Sequence, residues 1–386
     1  MTPAARVAAA IAVLDDWRDG MAAEQALTRW ARGARYAGSK DRAAVRDHVY
    51  DVLRRAESCA RMGGGRTGRA LLLGLLQLQG ADPAQVFTGL GHAPPPLTAA
   101  EAAPPAAPPP ADCDVPAWLR APLAAAVDAP DALFASFSER APLWLRVNRR
   151  RGTPAEVIAS LASDGVAARA TPLCATALEV TEGARALRRA AAYLGGQVEP
   201  QDLSVQRAIA RVDWPKTGRI LDYCAGGGGK ALALADRSAA RLFAHDADPR
   251  RMADLGPRAE RAGVEIVQLA TSDLQRVGPF DAVLCDVPCS GSGTWRRDPE
   301  AKWRLTPARL DKLKATQDAI LDAAVPMVRP GGHLVYMTCS LLEVENQARI
   351  AAFLARHPGW ALRHQALDTP LTASDGFFCA LLTRSE

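Results

Sequence analysis

The stretch RILDYCAGGGGKALALA, residues 219–235, decides how the chain reads. An apolar run ends in polar residues and four consecutive glycines, then turns into a helix-forming segment. That is the pattern of a buried strand, a tight loop and a helix. Four more short apolar runs follow: RLFAHDAD, VEIVQLATSD, FDAVLCDVP and GHLVYMTCS. Each ends in polar or glycine residues, and helix-like stretches separate them. Strands buried on both faces look like this, so residues 201–386 are predicted to form an open α/β sheet, mixed but mostly parallel. The final GFFCALLTR reads as a strand closing one edge, with antiparallel pairing open to it.

In such sheets ligands sit at the carboxyl ends of the strands, near the point where the strand order reverses. Gly226, Gly227, Gly228 and Gly229 let the backbone approach a ligand closely, and the helix they open supplies N–H donors for an anionic group. Asp246 ends the second run, where an acidic residue suits ribose hydroxyls. Asp273 ends the third, where it can accept from an adenine amine. Glycine spacing alone leaves alternatives open. Gly226, Gly228 and Ala231 also satisfy G-x-G-x-x-A, which admits a nicotinamide-dependent oxidoreductase, and a glycine-rich turn without a ligand is the plainer reading. A phosphate-binding P-loop is excluded, because residue 224 is Cys and Ala231 stands where Ser or Thr would hold magnesium.

DVPCSGSGTW, residues 286–295, and YMTCSLLEVEN, residues 336–346, place Cys289 and Cys339 at the ends of the fourth and fifth runs. Both thiols are predicted to face one crevice. A thiolate suits attack on an electron-poor ring carbon, being partly ionised near neutral pH and strongly nucleophilic. Most buried cysteines are only small apolar side chains, and Cys285, inside its run, reads that way. Asp286 adds a carboxylate to the same loop. A cytosine accounts for the set: thiolate addition to C6 makes C5 nucleophilic, a carboxyl group at N3 favours that addition, and a second thiol assists product release.

Upstream, Val7, Ile11, Leu14, Trp17 and Met21 repeat at helical spacing, as do Val45, Val49, Val52 and Leu53. Residues 1–90 are predicted to be all-helical, with Ser39 or Asp41 capping a basic helix. Residues 91–116 are a Pro/Ala-rich, extended linker, and 117–200 mix helix and strand. The formal charge of +5 is concentrated in residues 1–70, which hold 13 Lys or Arg against 8 Asp or Glu. Such a basic module suits RNA, and a solvated helical face is the alternative. With 48% hydrophobic and 23% charged residues the composition is that of a globular protein. No apolar run reaches the length of a membrane span. The N-terminus meets acidic residues before any long apolar core, which argues against a signal peptide. Eight cysteines without disulfide or zinc spacing point to a reduced, cytoplasmic protein with no metal.

These motifs resemble the Nop/Sun-domain RNA cytosine-C5 methyltransferases of the bacterial RsmB (Sun/Fmu) type. The resemblance runs through LWLRVN, VEPQDLSVQ, DYCAGGGGK, DVPCSGSGTWRRDPEAKW, PGGHLVYMTCSLLEVEN and DGFFCALL. It implies a Rossmann-like class I methyltransferase domain, preceded by an α+β subdomain and a helical NusB-like RNA-binding domain. S-adenosylmethionine would be the methyl donor and 5-methylcytosine the product, most readily in 16S small-subunit rRNA, with transfer RNA as the alternative substrate. Cys339 would then be the nucleophile and Cys289 the release residue. Asp286 would lie between donor and base. Cys224, Ala225, the four glycines, Lys230, Asp246 and Asp273 would bind the donor. RNA contacts would fall at Arg146, Asn148, Arg149 and Lys302, and the chain would act as a monomer. One departure stands out: the family loop usually reads Ala-Pro-Gly-Gly-Lys-Thr, whereas Gly226 and Gly227 replace Ala-Pro here and Ala231 replaces Thr. Glycine in place of proline leaves the loop less preorganised. An idle RNA-binding assembly factor of the same fold is the remaining alternative.

Overall fold

The computed structural model of the protein describes residues 1–103 and 107–386. The chain forms two compact units: Met1–Arg140 with Trp295–Arg304, and Ala141–Thr294 with Leu305–Glu386.

In the first unit, helices Pro3–Arg18, Ala23–Gly33, Ser39–Arg54, Ala56–Met62 and Gly68–Leu78 enclose Val7, Leu14, Val45, Val49, Val52, Leu53, Leu72 and Leu75. Apolar residues every three or four positions give each long helix one stripe to bury. The third helix is capped differently from expectation. Gly38 is its N-cap, and Asp41, one turn in, accepts the Gly38 N–H at 3.1 Å. Described parts of the proline-rich stretch are tied to the helices, where a free extended linker was expected. Arg69 donates to the carbonyls of Pro95 and Pro96 and pairs with Glu101. Asp114 accepts the Ser58 N–H at 3.0 Å and its hydroxyl at 2.6 Å, satisfying a donor in the first turn of Ala56–Met62. Residues 104–106 of that stretch lie outside the described residues. The segment Trp295–Arg304 is held by Trp303 Nε1 on the Leu53 carbonyl at 2.7 Å and by Glu300 on Trp17 Nε1 at 3.1 Å.

The second unit holds two sheets. Strands β1 (Leu143–Val147), β2 (Ala167–Ala170), β3 (Ala177–Glu182) and β4 (Val198–Pro200) form an antiparallel sheet in the order β2-β3-β1-β4. Helix Pro154–Ser163 packs on it through Val157 and Leu161. Thr153 and Glu156 cap that helix reciprocally. The larger sheet comprises β5 (Arg219–Asp222), β6 (Arg241–Ala244), β7 (Ile266–Gln268), β8 (Phe280–Asp286), β9 (Val328–Thr338), β10 (Trp360–Asp368) and β11 (Phe377–Arg384). Its order is β10-β11-β9-β8-β5-β6-β7. Strands β5 to β9 pair in parallel, so the mostly parallel sheet expected from the apolar runs is present. The order reverses between β5 and β8, which places the glycine loop and the Cys289 loop on either side of the switch point.

One edge differs from the sequence reading. GFFCALLTR does form an antiparallel strand, β11, but it pairs with β9 on one side and β10 on the other. The edge is β10, from WALRHQALD, whose middle residues are exposed or half-buried. Lacking an apolar run, it carries little strand signal. Among the described residues no helix is long and apolar enough to cross a membrane.

The Asp114 cap gives a stability test. Asp114→Ala strands two buried donors of Ser58 and is expected to cost about 1–3 kcal/mol in urea unfolding. Asp114→Asn keeps an acceptor and should cost less.

Candidate active site

Strands β8 and β9 are parallel neighbours with Asp286 opposite Met337, so the chain leaves both at the same edge of the sheet. The loops that follow bring Cys289 and Cys339 together, Sγ to Sγ at 3.3 Å. The Gly293 N–H donates to the Cys339 carbonyl at 2.9 Å and joins the loops through their backbones. Both thiols are half-buried.

Their environments are unlike. The hydrogen bond between the thiols holds Cys339 below its ordinary range. Burial and the Asp286 carboxylate oppose that shift, and the Lys230 ammonium supports it. Cys289 is pushed well above the ordinary range by that same hydrogen bond, by burial and by Glu345. Of the two thiols, the surroundings therefore favour the thiolate at Cys339 over Cys289. Lys230 donates to Asp286 at 2.5 Å. Burial alone would disfavour its charge, but Asp286 outweighs burial and raises the Lys230 pKa. Cys285, fully buried inside β8, is driven far up by burial and is a packing residue.

The glycine loop lies at the end of β5. The Ala225 N–H bonds to the His245 carbonyl at 2.9 Å, and the Gly226 N–H bonds to Asp246, a buried carboxylate just beyond β6, at 3.0 Å. Arg258 donates to the Gly227 carbonyl, and Gln201 to that of Gly229 at 3.0 Å. Gly228 is required here: its φ is +78°, and a Cβ would lie 2.1 Å from Leu255. At Gly226 and Gly229 a Cβ would meet nothing nearer than 3.6 and 3.7 Å, so the rim of the loop is open. Cys224 is half-buried and its thiol is pushed far up by burial, which leaves it unreactive. Asp273 lies beyond β7 in the turn Thr271–Asp273, paired with Arg276 at 2.9 Å.

Asp222, the last residue of β5, is fully buried and neither carboxylate oxygen meets a full hydrogen-bond partner. Burial raises its pKa to about 7 against the opposing Lys230 charge. A buried orphan carboxylate beneath an open glycine loop, with Asp246 and Asp273 on the neighbouring strands, fits a cationic nucleoside donor. Such a donor offers an ammonium, a ribose diol and an adenine amine. Sequence reasoning quoted Asp222 but assigned it nothing; an acidic residue closing an apolar run was the available signal. It also passed over Glu345, whose carboxylate underlies both cysteine loops and which sits in a polar segment with no distinguishing pattern.

The expected RNA contacts need correction. Arg146, Asn148 and Lys302 are buried, at 4%, 4% and 0% exposure. Arg146 lies in β1 opposite Glu199 of β4, and burial lowers its pKa. Asn148 spends its amide on the carbonyls of Gly196 and Ala262. Lys302 donates to the Arg54 carbonyl at 2.7 Å, with its pKa lowered to about 7 by burial. None of the three presents a group to a phosphate, so each is structural. Arg149 is exposed. No cluster of three or more metal-ligating side chains occurs among the described residues.

This arrangement, an open sheet with a glycine loop and two thiols at its switch point, is that of a Rossmann-like α/β domain. Residues 212–382 match the family described as 16S rRNA methyltransferase RsmB/F, and residues 115–186 match its ferredoxin-like domain. Ribosomal RNA small subunit methyltransferase B of Xanthomonas campestris pv. campestris is 38% identical over 302 residues, covering 71% of this chain and 68% of that protein. Its namesake in Sodalis glossinidius is 35% identical over 285 residues, covering 70% and 65%. The matched region thus spans about two thirds of the length of these relatives. Among solved structures, PH0851 superposes with a TM-score of 0.76 at 22% identity, covering 99% of each chain. NSun6 from Pyrococcus horikoshii, solved with SFG, gives 0.61 at 17% identity, covering 70% of this chain and 98% of that one. The chain belongs to the RsmB/F methyltransferase family.

The hydrogen bond between the thiols is open to titration. Removing the bond in Cys289→Ala is expected to raise the pH of half-maximal Cys339 alkylation. The rate of iodoacetamide labelling between pH 6 and 10 measures it.

Proposed function

We propose that the protein methylates C5 of a cytosine in small-subunit ribosomal RNA, using S-adenosylmethionine. The observation that carries this reading is the pair of thiols 3.3 Å apart, one favoured as thiolate and the other held protonated. A single reactive thiol would serve many chemistries. Two in opposite states suit a covalent intermediate that must first form and then be released.

The Cys339 thiolate adds to C6 of the target base. Asp286, bonded to Lys230, contacts N3 and stabilises a proton there, so the electrons displaced from C6 collect at C5. S-adenosylmethionine, when bound, supplies an electrophilic methyl group for that carbon. After transfer the C5 proton passes to water, its bonding electrons re-form the C5–C6 double bond and expel Cys339 as a thiolate, and N3 gives its proton up to solvent. Cys289 assists that release. The donor is held by segment 224–230, by Asp246 at the ribose and by Asp273 at the adenine. Asp246 now pairs with Arg251 at 3.1 Å; the exposed Arg251 side chain gives way to the ribose diol.

The target cytosine must be unstacked for attack at C6. The helical module over 1–90 binds RNA through its basic surface, and the α+β region over 117–200 adds the exposed Arg149, Arg150 and Arg151. The protein works as a monomer in the cytoplasm, where its thiols stay reduced.

Incubation with S-adenosylmethionine and unmodified small-subunit rRNA tests the chemistry on a denaturing gel. Cys289→Ala should accumulate a covalent protein–RNA species, whereas Cys339→Ala should give none and no methylation. An adduct from Cys339→Ala would overturn the assignment. An adduct with transfer RNA alone would move the substrate and keep the mechanism.

A further inference from the structure

The Cys289 and Cys339 loops are joined beneath the thiols by one buried carboxylate. Glu345 is fully buried. Its Oε1 accepts the Ser290 N–H at 2.9 Å and the Gln317 amide at 2.9 Å. Its Oε2 accepts the Ser340 hydroxyl at 2.6 Å and the Ser290 hydroxyl. Ser290 follows Cys289 directly in the chain, and Ser340 follows Cys339. Gln317 also holds the Pro288 carbonyl at 2.9 Å, so the residues on both sides of Cys289 are tied to this centre. Among the described residues no lysine or arginine lies within ion-pair distance of Glu345. Its charge is met by neutral donors alone.

We propose that Glu345 is a positioning residue that decides which of the two thiols carries the proton. The reading rests on the roles proposed above for Cys339 and Cys289. The serine bonds fix the separation of the loops, and hence the contact between the thiols. The uncompensated carboxylate disfavours a second negative charge on Cys289. The groups facing the other thiol are different: Asp286 and Lys230 lie towards Cys339, with the Thr294 hydroxyl as a further donor. Asp222 stands behind Lys230. The Tyr336 hydroxyl donates to the Glu345 carbonyl at 2.6 Å and stays neutral. With Glu345 on one side and Lys230 on the other, the proton shared by the pair rests on Cys289, and Cys339 is the thiolate before substrate arrives. A buried carboxylate satisfied only by hydroxyl and amide groups keeps its full field at short range, because no counter-ion neutralises it.

The test needs neither RNA nor donor, so it separates this proposal from the methyltransferase reading. The folded, full-length protein is treated briefly with limiting iodoacetamide at several pH values, and labelling of Cys289 and Cys339 is counted by peptide mass spectrometry. Wild type should label Cys339 in preference to Cys289. Glu345→Gln, close in shape but uncharged, should lower the Cys339-to-Cys289 ratio about tenfold, equivalent to one unit of relative pKa. Ser340→Ala removes one donor but keeps the charge, and should lower the ratio by a clearly smaller factor than Glu345→Gln. A ratio in Glu345→Gln equal to that of wild type overturns the proposal, as does an equal loss in Ser340→Ala. If Glu345→Gln does not fold, Gln317→Leu takes its place. With that donor gone the carboxylate is held less firmly beneath the loops, so the ratio should fall in the same direction by a smaller factor, and an unchanged ratio overturns the proposal.

Discussion

The parallel pairing of β8 with β9 is the constraint on which the catalytic unit depends. With Asp286 opposite Met337, both strands end level, and the residues after them emerge side by side at one edge. A slip of one residue would turn every side chain of one strand to the other face. Phe280, Ala282, Val283 and Leu284 of β8 are fully buried, as are Leu334, Val335 and Tyr336 of β9. With both faces packed, such a slip would exchange side chains of different size between two filled layers. The contact between two thiols 50 residues apart in the chain is thus a consequence of apolar packing well below them.

Above that apolar layer the structure becomes polar and dry. Ser290, Ser292, Thr338, Ser340, Glu345 and Asn346 are all buried and hydrogen-bonded to one another or to backbone. Such a layer adds little stability over a well-packed apolar one, because desolvation offsets most of what the bonds return. It supplies direction instead. Each loop can satisfy its buried donors in only one arrangement, and that arrangement sets the thiols in contact. The donor loop follows the same logic, with Asp246 and Arg258 holding the glycine backbone from outside. That support replaces the rigidity a proline at position 227 would have given.

Charge is handled differently in the two units. In the catalytic unit Lys230, Asp286 and Asp222 cluster at the switch point, where the fields of Lys230 and Asp286 act on Cys339. In the first unit Lys302 is fully buried, with a backbone carbonyl as acceptor and Asp114 as the nearest opposing charge. A lysine in that setting holds a segment in place and is not available to bind phosphate.

Much of this was legible in the residues. Five apolar runs ending in polar or glycine residues can be buried on both faces only in an α/β sheet, and an α/β sheet collects its loops at one edge. The glycine loop, Asp246, Asp286 and both cysteines were therefore placeable by pattern. Other features carry no local signal. An edge strand with exposed polar side chains, such as β10, looks like a loop. Whether a basic residue such as Arg146 or Lys302 faces solvent depends on which distant segments cover it. The sequence by itself determined the sheet, its strand ends and the thiols they carry, because hydrophobic periodicity is a local property. Only the tertiary structure decided how close the two thiols come and what lies beneath the pair, because contact and burial depend on groups far apart in the chain.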